Sequence, residues 1–357
     1  AAGSESDELC APPPLPLRAV TCCQATAPTG DLLGALLRRY GVGDPISCEP
    51  VAEGLLNRGY RLSTTLGVFF LKHYLDGDEA VIARQHHATV RLEELGVPVA
   101  SPVPDREGRT VAVLEGNHFG LYPWVEGRHR EGTELSEEQS AALGALLGLV
   151  HTSLARVHPP VEQPRSLPTA ELGETHRLID ELLRLVRKRS PRDGFDDLAE
   201  ARLVERRSLL DRWAHRRPGV SSVPTTGWVH GDFHPLNVLY RGPEPVAIVD
   251  WDRLGVQPRA EEAVRAAAIF FLRADGDLDL AKVRRYARAY RQSAGVPEAE
   301  MGAAVHRVWW ERLNDFWMLQ WRYQRGDCRA DPLFPATSAL AVWWTRAYDA
   351  VLDAFTS

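Results

Sequence analysis

Lysine is scarce in this sequence of 357 residues: only three of its 42 basic residues are lysines, at positions 72, 188 and 282. The net charge is −6, which argues against a nucleic-acid partner because binding nucleic acid needs a clustered basic surface. Long hydrophobic runs are lacking too, and none reaches the ~20 apolar residues that a membrane span requires. We therefore expect neither nucleic acid nor a membrane as a partner.

Cysteines are few as well. The five cysteines are scattered and form neither the C-x-x-C pairs of a zinc site nor an even-numbered disulfide framework. Unpaired thiols are typical of proteins in a reducing compartment. The acidic N-terminal stretch also lacks the apolar segment of a signal peptide. These absences predict a cytoplasmic protein, and we expect a monomer or a homodimer.

The order of sequence patterns predicts a bilobal α+β protein. The chain is about twice the ~150 residues of a common domain, so two lobes are expected. Residues 1–28 are rich in proline, alanine and serine without periodicity, which is typical of a mobile tail. Residues 29–122 favour a small antiparallel sheet with one or two helices. Residues 123–357 favour a larger, mainly helical lobe, with a helical insertion at about 160–222.

Chemistry-bearing residues concentrate in the segments WVHGDFHPLNVLY (228–240) and AIVDWD (247–252). Their polar side chains adjoin strongly apolar strands, where burial is costly unless the groups are paired or engaged by a ligand. Asp232 lies in a loop between two strands, Asn237 follows five residues later, and Asp250 ends a further strand. The amide and Asp250 offer hard oxygen ligands that suit Mg²⁺, which leaves Asp232 to orient or deprotonate a hydroxyl group.

This pattern, H-G-D-x-x-x-x-N followed by I-V-D-W-D, resembles the signature of the aminoglycoside phosphotransferase, choline kinase and homoserine kinase superfamily. The resemblance covers about residues 45–275 and implies a small-molecule kinase with a protein-kinase-like fold. It also implies that Asp232 is the catalytic base and that Asn237 and Asp250 bind Mg²⁺. His230 would order the catalytic loop.

The same resemblance implies a nucleotide-binding lysine on a strand of the first lobe. Lys72 ends the apolar run VFFLK and is the only lysine within a strand pattern. A lysine on an edge strand facing water is the alternative interpretation. The loop EGLLNRG (53–59), which precedes Lys72, would then hold phosphate through Gly54 and Asn57.

One position departs from the superfamily pattern. The carboxylate partner of the lysine normally lies about eleven residues before the glycine that ends the following helix. In this chain that position is occupied by Gln85, which can donate a hydrogen bond but lacks the charge. Glu79 is the alternative partner, if the helix starts early enough to include it.

The linker LYPWVEG (121–127) resembles the hinge between the two lobes of these kinases. Tyr122 and Trp124 are therefore expected beside the base of the nucleotide, which would be ATP or GTP. The simpler interpretation, a connecting strand without a ligand, is compatible with the same residues.

The phosphate acceptor is a small hydroxylated molecule whose identity the sequence leaves open. We favour an antibiotic, of aminoglycoside or nucleoside type, or a sugar-like polyol, with a choline- or homoserine-type metabolic kinase as the alternative. An aromatic and acidic helix in the last third of the chain would suit a cationic substrate, although its tryptophans could equally be core residues. The candidate acceptor residues are His234, Asp252, Trp310, Glu311, Asp315 and Trp317.

Two other functions fit parts of the sequence. A metal-dependent hydrolase would use the spacing H-x-D-x-H of residues 230–234 together with Asp250 and Asp252, but it leaves Lys72 and Asn237 without a task. A catalytically inactive kinase-like binding module would explain the glutamine at the helix position.

Overall fold

The computed structural model describes residue 28 and residues 30–51, 57–220 and 224–357. The predicted tail up to residue 27 and Gly54 of the predicted phosphate loop lie outside the described residues, as do Cys10, Cys22 and Cys23. The two cysteines that are described, Cys48 and Cys328, are free thiols.

The first part of the chain forms a five-stranded antiparallel sheet in the order β1-β2-β3-β5-β4. One helix, α1, precedes the sheet, and a second, α2, lies between β3 and β4. The elements are α1 (Gly30–Tyr40), β1 (Pro45–Val51), β2 (Arg58–Thr64), β3 (Gly67–Tyr74), α2 (Glu79–Glu94), β4 (Val111–Leu114) and β5 (Asn117–Pro123).

Lys72 lies on the central strand of this sheet, where β3 runs between β2 and β5. It is opposite Gly59 on one side and Gly120 on the other. Successive side chains of a strand point to opposite faces, so the neighbouring Leu71 is buried in the apolar core and Lys72 projects from the other face. The alternative of an edge-strand lysine is therefore wrong.

The rest of the chain is mainly helical, with two short antiparallel strand pairs, β6 with β9 and β7 with β8. The larger hydrophobic core lies here. The helices are α3 (Glu137–Val157), α4 (Leu172–Arg187), α5 (Gly194–Trp213), α6 (Arg259–Phe270), α7 (Leu280–Ala294), α8 (Glu298–Asn314), α9 (Trp317–Gln320), α10 (Phe334–Arg346) and α11 (Tyr348–Thr356). The strands are β6 (Thr226–Val229), β7 (Val238–Arg241), β8 (Glu244–Ile248) and β9 (Gly255–Pro258). This arrangement confirms the predicted α+β class.

Helix α3 begins at a capping box. The Ser136 side chain accepts a hydrogen bond from the backbone N–H of Gln139, and the Gln139 side chain accepts one from the backbone N–H of Ser136. Further along, Gly144 lets α3 approach α7 closely, because a Cβ there would lie 2.1 Å from the carbonyl oxygen of Tyr286. The contact holds α3 closely against α7 in the helical lobe.

By length and composition alone, α3 could also cross a membrane, and it is the one such helix within the described part of the chain. Of its most apolar 18-residue window, 56% is buried inside the structure, and a core helix of a soluble protein passes the same test. The sequence was expected to contain no segment long and apolar enough to span a membrane. That expectation holds for uninterrupted apolar runs, but α3 meets the length and composition criteria.

Candidate functional site

The ammonium group of Lys72 meets two carboxylates that follow it by 178 and 180 residues in the chain. Its Nζ lies 2.9 Å from Oδ1 of Asp250 and 2.6 Å from Oδ1 of Asp252. Lys72 is 8% exposed, whereas the side chain of Asp250 remains 43% exposed. The contact joins the sheet lobe to the helical lobe at a junction that we call the cleft, and the side chain of Asp250 stays partly accessible to solvent there.

Local structure explains the position of Asp250. The strand β8 ends at the buried Ile248, whose carbonyl oxygen accepts a hydrogen bond from the indole N–H of Trp251. Asp250 itself adopts a left-handed backbone conformation, with φ of +60°. A non-glycine residue in that region costs conformational energy and persists only where its surroundings fix it, which is common at functional sites.

A tight loop positions Asp232. Gly231 has φ of +86°, and a Cβ there would lie 2.1 Å from the carbonyl oxygen of Arg253, so only glycine fits. His230 is fully buried; its Nδ1 accepts from the backbone N–H of Asp232, and its Nε2 donates to the carbonyl of Val249. His230 thus links this loop to the strand end that precedes Asp250, which agrees with a loop-ordering role.

Asn237 closes the same loop from its other end. Its side-chain nitrogen donates to the carbonyl oxygen of Asp232 at 2.8 Å and lies 3.2 Å from Nε2 of His234. Its side-chain oxygen is the atom left for a cation. His234 Nε2 also lies 3.5 Å from the carboxylate of Asp232, so the structure brings these three predicted residues together.

The electrostatics of the cleft keep its main groups charged. Burial alone would lower the pKa of Lys72, but the carboxylates of Asp252 and Asp250 raise it above its ordinary value. Burial raises the pKa of Asp252 to about 6, although Lys72 acts in the opposite direction and Asp250 reinforces the rise. For Asp232, burial is outweighed by His234 and Arg253, which lower its pKa. Asp232 is therefore ionised at neutral pH and able to accept a proton.

Asp252 also binds two residues of the sheet lobe. The side-chain nitrogen of Asn57 donates to its Oδ2 at 2.5 Å, and that of Gln85 donates to its backbone carbonyl at 2.9 Å. Glu79 is exposed at the start of α2. The expectation that Gln85 or Glu79 partners Lys72 is therefore corrected: the carboxylates that bind Lys72 come from the helical lobe.

The predicted hinge begins at the end of β5. The phenol of Tyr122 is within hydrogen-bond distance of Tyr74 and His86, at 2.6 and 2.8 Å. The indole ring of Trp124 is partly buried, and the guanidinium of Arg61 lies 5.2 Å from its centre. Tyr122 therefore lies in the sheet lobe near the end of β5, and Trp124 follows directly after that strand.

The residues proposed for the acceptor are mostly paired with other protein groups. Glu311 accepts three hydrogen bonds of 2.7–3.0 Å from Arg265, which neutralises its charge. Asp315 accepts from the backbone N–H of Trp317, and the ring of Trp317 packs edge-on against Trp321 at 5.1 Å. These contacts therefore do not leave a free acidic surface for a cationic substrate.

Trp310 requires a correction. It is 1% exposed, and its indole N–H donates to the backbone carbonyl of Ala170 at 3.0 Å. Because the ring is buried in the core with its polar atom satisfied, it is unavailable to a substrate. Tryptophans at helical spacing are ambiguous in a sequence, and here the core interpretation holds.

Sequence reasoning missed a buried acid beneath the loop that holds Asp232. Glu262 of α6 accepts from the backbone N–H groups of Gly231 and His230, at 2.5 and 3.2 Å. The same carboxylate lies 2.7 Å from Nε2 of the buried His151. In the sequence, the sole signal for Glu262 is a pair of acidic residues in an alanine-rich helix.

The donor set suits Mg²⁺ better than zinc. Asn237 and Asp250 offer oxygen atoms, which are the ligands that Mg²⁺ prefers. Both nitrogens of His230 are engaged by backbone groups, so this histidine cannot bind a metal as the hydrolase interpretation requires. Within the described residues, no group of three or more His, Cys, Asp and Glu side chains is arranged to hold a metal ion.

Comparison with known proteins supports a kinase. Residues 47–296 match the family described as Phosphotransferase enzyme family, abbreviated APH. The homoserine kinase of Rhodopseudomonas palustris is 26% identical over 278 residues, which cover 76% of this chain and 78% of that protein.

Two solved structures share the fold. One is a spectinomycin phosphotransferase in complex with ADP and spectinomycin, with a TM-score of 0.62 and 16% identity over 90% of this chain and 98% of its own. The other is a microcompartment-associated aminopropanol kinase, with a TM-score of 0.59 and 17% identity over 92% and 99% of the two chains. The family match covers more than half of the chain, and with these likenesses it shows that the protein belongs to the Phosphotransferase enzyme family, has a protein-kinase-like fold and is a phosphotransferase with a hydroxyl acceptor.

Proposed function

We propose that this protein is a Mg²⁺-dependent kinase that transfers the γ-phosphoryl group of ATP to the hydroxyl group of a small amino alcohol. The observation that carries the kinase chemistry is the contact of Lys72 with Asp250 and Asp252 across the cleft. An ammonium group and two carboxylates at one point offer a partner for phosphate beside ligands for its metal ion.

Each residue of the site then has one task. Lys72 would bind the phosphates of the nucleotide, and Asn237 and Asp250 would hold the metal ion. When bound, Mg²⁺ would neutralise the negative charge of the phosphates. Asp232 would orient the acceptor hydroxyl and take its proton, which its lowered pKa permits at neutral pH. Glu262 would keep the loop of Asp232 in place through two backbone hydrogen bonds.

The proposed acceptor class follows from the relatives. Homoserine and aminopropanol, which name two of the similar proteins, both carry a hydroxyl group and an amine. The homoserine kinase matches this chain over 76% of its length, which favours a metabolic acceptor over an antibiotic. An antibiotic or a sugar-like polyol stays a prediction, because the likeness to spectinomycin phosphotransferase concerns the fold. A protein that uses ATP and a metabolite would act in the cytoplasm.

The test is acceptor-dependent formation of ADP or GDP. The purified protein is given Mg²⁺ with ATP or GTP and, in turn, homoserine, 1-amino-2-propanol, choline, spectinomycin and a neutral sugar. We expect ATP to be consumed with one of the first two compounds. The substitution Asp232→Asn should lower turnover by about 10²–10⁴-fold while Mg-ATP still binds, because it removes the base and keeps the shape.

Asp275→Asn is the matched control, since Asp275 is an exposed aspartate between α6 and α7. It should turn over like the wild type. Consumption with spectinomycin alone would overturn the amino alcohol and keep the kinase. No turnover with any compound, or an Asp232→Asn protein as active as the wild type, would contradict the proposed chemistry.

A further inference from the structure

A hydrogen-bonded cluster of three side chains lies behind Lys72 in the sheet lobe. It consists of Tyr74 on β3, His86 on α2 and Tyr122 on β5, and we name it the phenol cluster. The two phenol oxygens are 2.6 Å apart, and His86 Nε2 lies 3.0 Å from that of Tyr74 and 2.8 Å from that of Tyr122. Two strands and a helix are thus joined at one point.

The cluster contacts Lys72 through an aromatic face. The Nζ of Lys72 lies 5.0 Å from the centre of the Tyr74 ring, a distance at which a cation is attracted to the ring. The two residues are separated by one position on β3, so their side chains leave the same face of the sheet. The ring of Tyr74 therefore limits the positions that the ammonium group can take.

The opposite strand is shaped to admit the cluster. Gly120 pairs with Lys72, and a Cβ at that glycine would lie 3.1 Å from both His86 and Tyr122 and 3.3 Å from Tyr74. These distances are shorter than most real Cβ contacts. A side chain at position 120 would push the three rings apart. Glycine at this position is therefore compatible with the phenol cluster.

The cluster is neutral, which suits a position beside an ammonium group. Burial and the charge of Lys72 lower the pKa of His86 to about 4, and burial raises the pKa of Tyr122 to about 12. A neutral imidazole can accept one phenol proton at Nε2, while the other phenol donates to its neighbour. Both phenols and Nε2 of His86 are then paired without placing a second positive charge near Lys72, while Nδ1 of His86 is buried without a hydrogen-bond partner among the residues that the structure describes.

Within the described residues, no charged side chain of α2 forms an ion pair with Lys72. Its glutamine, Gln85, is engaged by the backbone of Asp252, and its first acidic residue, Glu79, is exposed. The carboxylates of Asp250 and Asp252 belong to the helical lobe, and the first of them would also hold the metal ion. In the sheet lobe, the ring of Tyr74, which belongs to the phenol cluster, contacts the ammonium group of Lys72.

We propose that His86 is a positioning residue for Lys72 and acts through Tyr74 and Tyr122 to hold the ammonium group where the nucleotide phosphates bind. The inference rests on the proposed function, because it assigns Lys72 to phosphate. It differs from a packing role in one respect: loss of His86 weakens nucleotide binding more than it weakens turnover, and an amide at the same place restores the binding.

The experiment uses calorimetry to measure the dissociation constant of a non-hydrolysable ATP analogue in the presence of Mg²⁺. Steady-state kinetics give KM and kcat for ATP. His86→Ala should raise the dissociation constant and the KM for ATP about tenfold, the effect of losing a hydrogen-bonded contact, and change kcat less than threefold. His86→Gln, whose amide can reach the place of Nε2, should recover most of the affinity. Tyr74→Phe should show a smaller rise than His86→Ala.

His87→Ala is the matched control, since His87 is the next residue of α2 and is exposed. Its affinity should equal that of the wild type. The positioning role would be overturned if His86→Ala bound the analogue as tightly as the wild type, or if His86→Gln did not recover the lost affinity. In either case, nucleotide binding by the wild type would still support the proposed kinase function. A wild-type protein that binds no nucleotide would overturn the proposed function and this inference together.

Discussion

The buried Asp105 and the partly buried Asp252 are carboxylates whose pKa values move in opposite directions. Burial would raise the pKa of Asp105, but hydrogen bonds from Arg39 and from the backbone of Arg109 outweigh it and lower the pKa to about 2. Asp252 has Lys72 on one side and Asp250 on the other, and its pKa rises to about 6. Asp105 therefore stabilises the fold when it is ionised. For Asp252 the raised pKa means that its ionised form is disfavoured in the folded protein, beside groups that suit phosphate.

The contribution of Asp105 should be visible as a pH dependence of stability. Its pKa in the folded protein lies below the ordinary value, so its stabilisation is complete above about pH 5 and is lost as the pH falls toward 2. Over this interval the wild type should lose about 2 kcal/mol more of its unfolding free energy than Asp105→Asn does. Urea unfolding at a series of pH values measures the difference. Parallel pH profiles for the two proteins would contradict the assignment.

At the scale of elements, the packing of α3 against α7 depends on a backbone contact. Gly144 lies against the carbonyl oxygen of Tyr286, where an added Cβ would come within 2.1 Å. The helices would have to separate to admit even one methyl group, and overpacking of this kind costs about 1–3 kcal/mol.

Gly144→Ala should therefore lower the melting temperature, although alanine favours a helix more than glycine does. Gly173→Ala is the matched control, because its Cβ would meet only the end of the Arg177 side chain at 3.7 Å in α4. That variant should melt at or above the wild-type temperature. Thermal unfolding followed by circular dichroism compares them, and a Gly144→Ala protein as stable as Gly173→Ala would show that the helices can separate freely.

The elements themselves could be predicted where their signals are local. The capping box of Ser136 and Gln139 marks the start of α3, and the β-branched and aromatic residues of VFFLK mark β3. Strand β9, with the sequence GVQP, has no such pattern; it forms because β6 lies beside it. Its pairing is a tertiary event that the short segment does not encode.

At the scale of the whole molecule, the two lobes meet at the groups that would bind the nucleotide. The ammonium of Lys72 binds Asp250 and Asp252. A nucleotide with Mg²⁺ would take both Lys72 and Asp250 as ligands and would then link the lobes itself. Binding to the folded protein alone stabilises it by mass action, by about 2.7 kcal/mol at a ligand concentration about 100 times the dissociation constant.

The prediction is that ATP with Mg²⁺ raises the melting temperature by several degrees and that ATP with a chelator raises it less. Asp250→Ala should remove the difference between the two conditions, because it removes a metal ligand. A thermal-shift assay with a fluorescent dye measures all four cases. Equal shifts with and without Mg²⁺ in the wild type would contradict the assignment of Asp250.

The sequence by itself indicated a phosphotransferase, because the H-G-D-x-x-x-x-N and D-W-D segments are each local and their order in the chain is fixed. It also determined Lys72 as the lysine of interest, since it is the one within an apolar strand. The tertiary structure decided which groups meet. Lys72 pairs with acids 178 and 180 residues away, Trp310 is buried, and His86 joins two tyrosines from different strands. Such contacts depend on how the elements pack, because the spacing of residues along the sequence does not specify the distances between them in the folded protein.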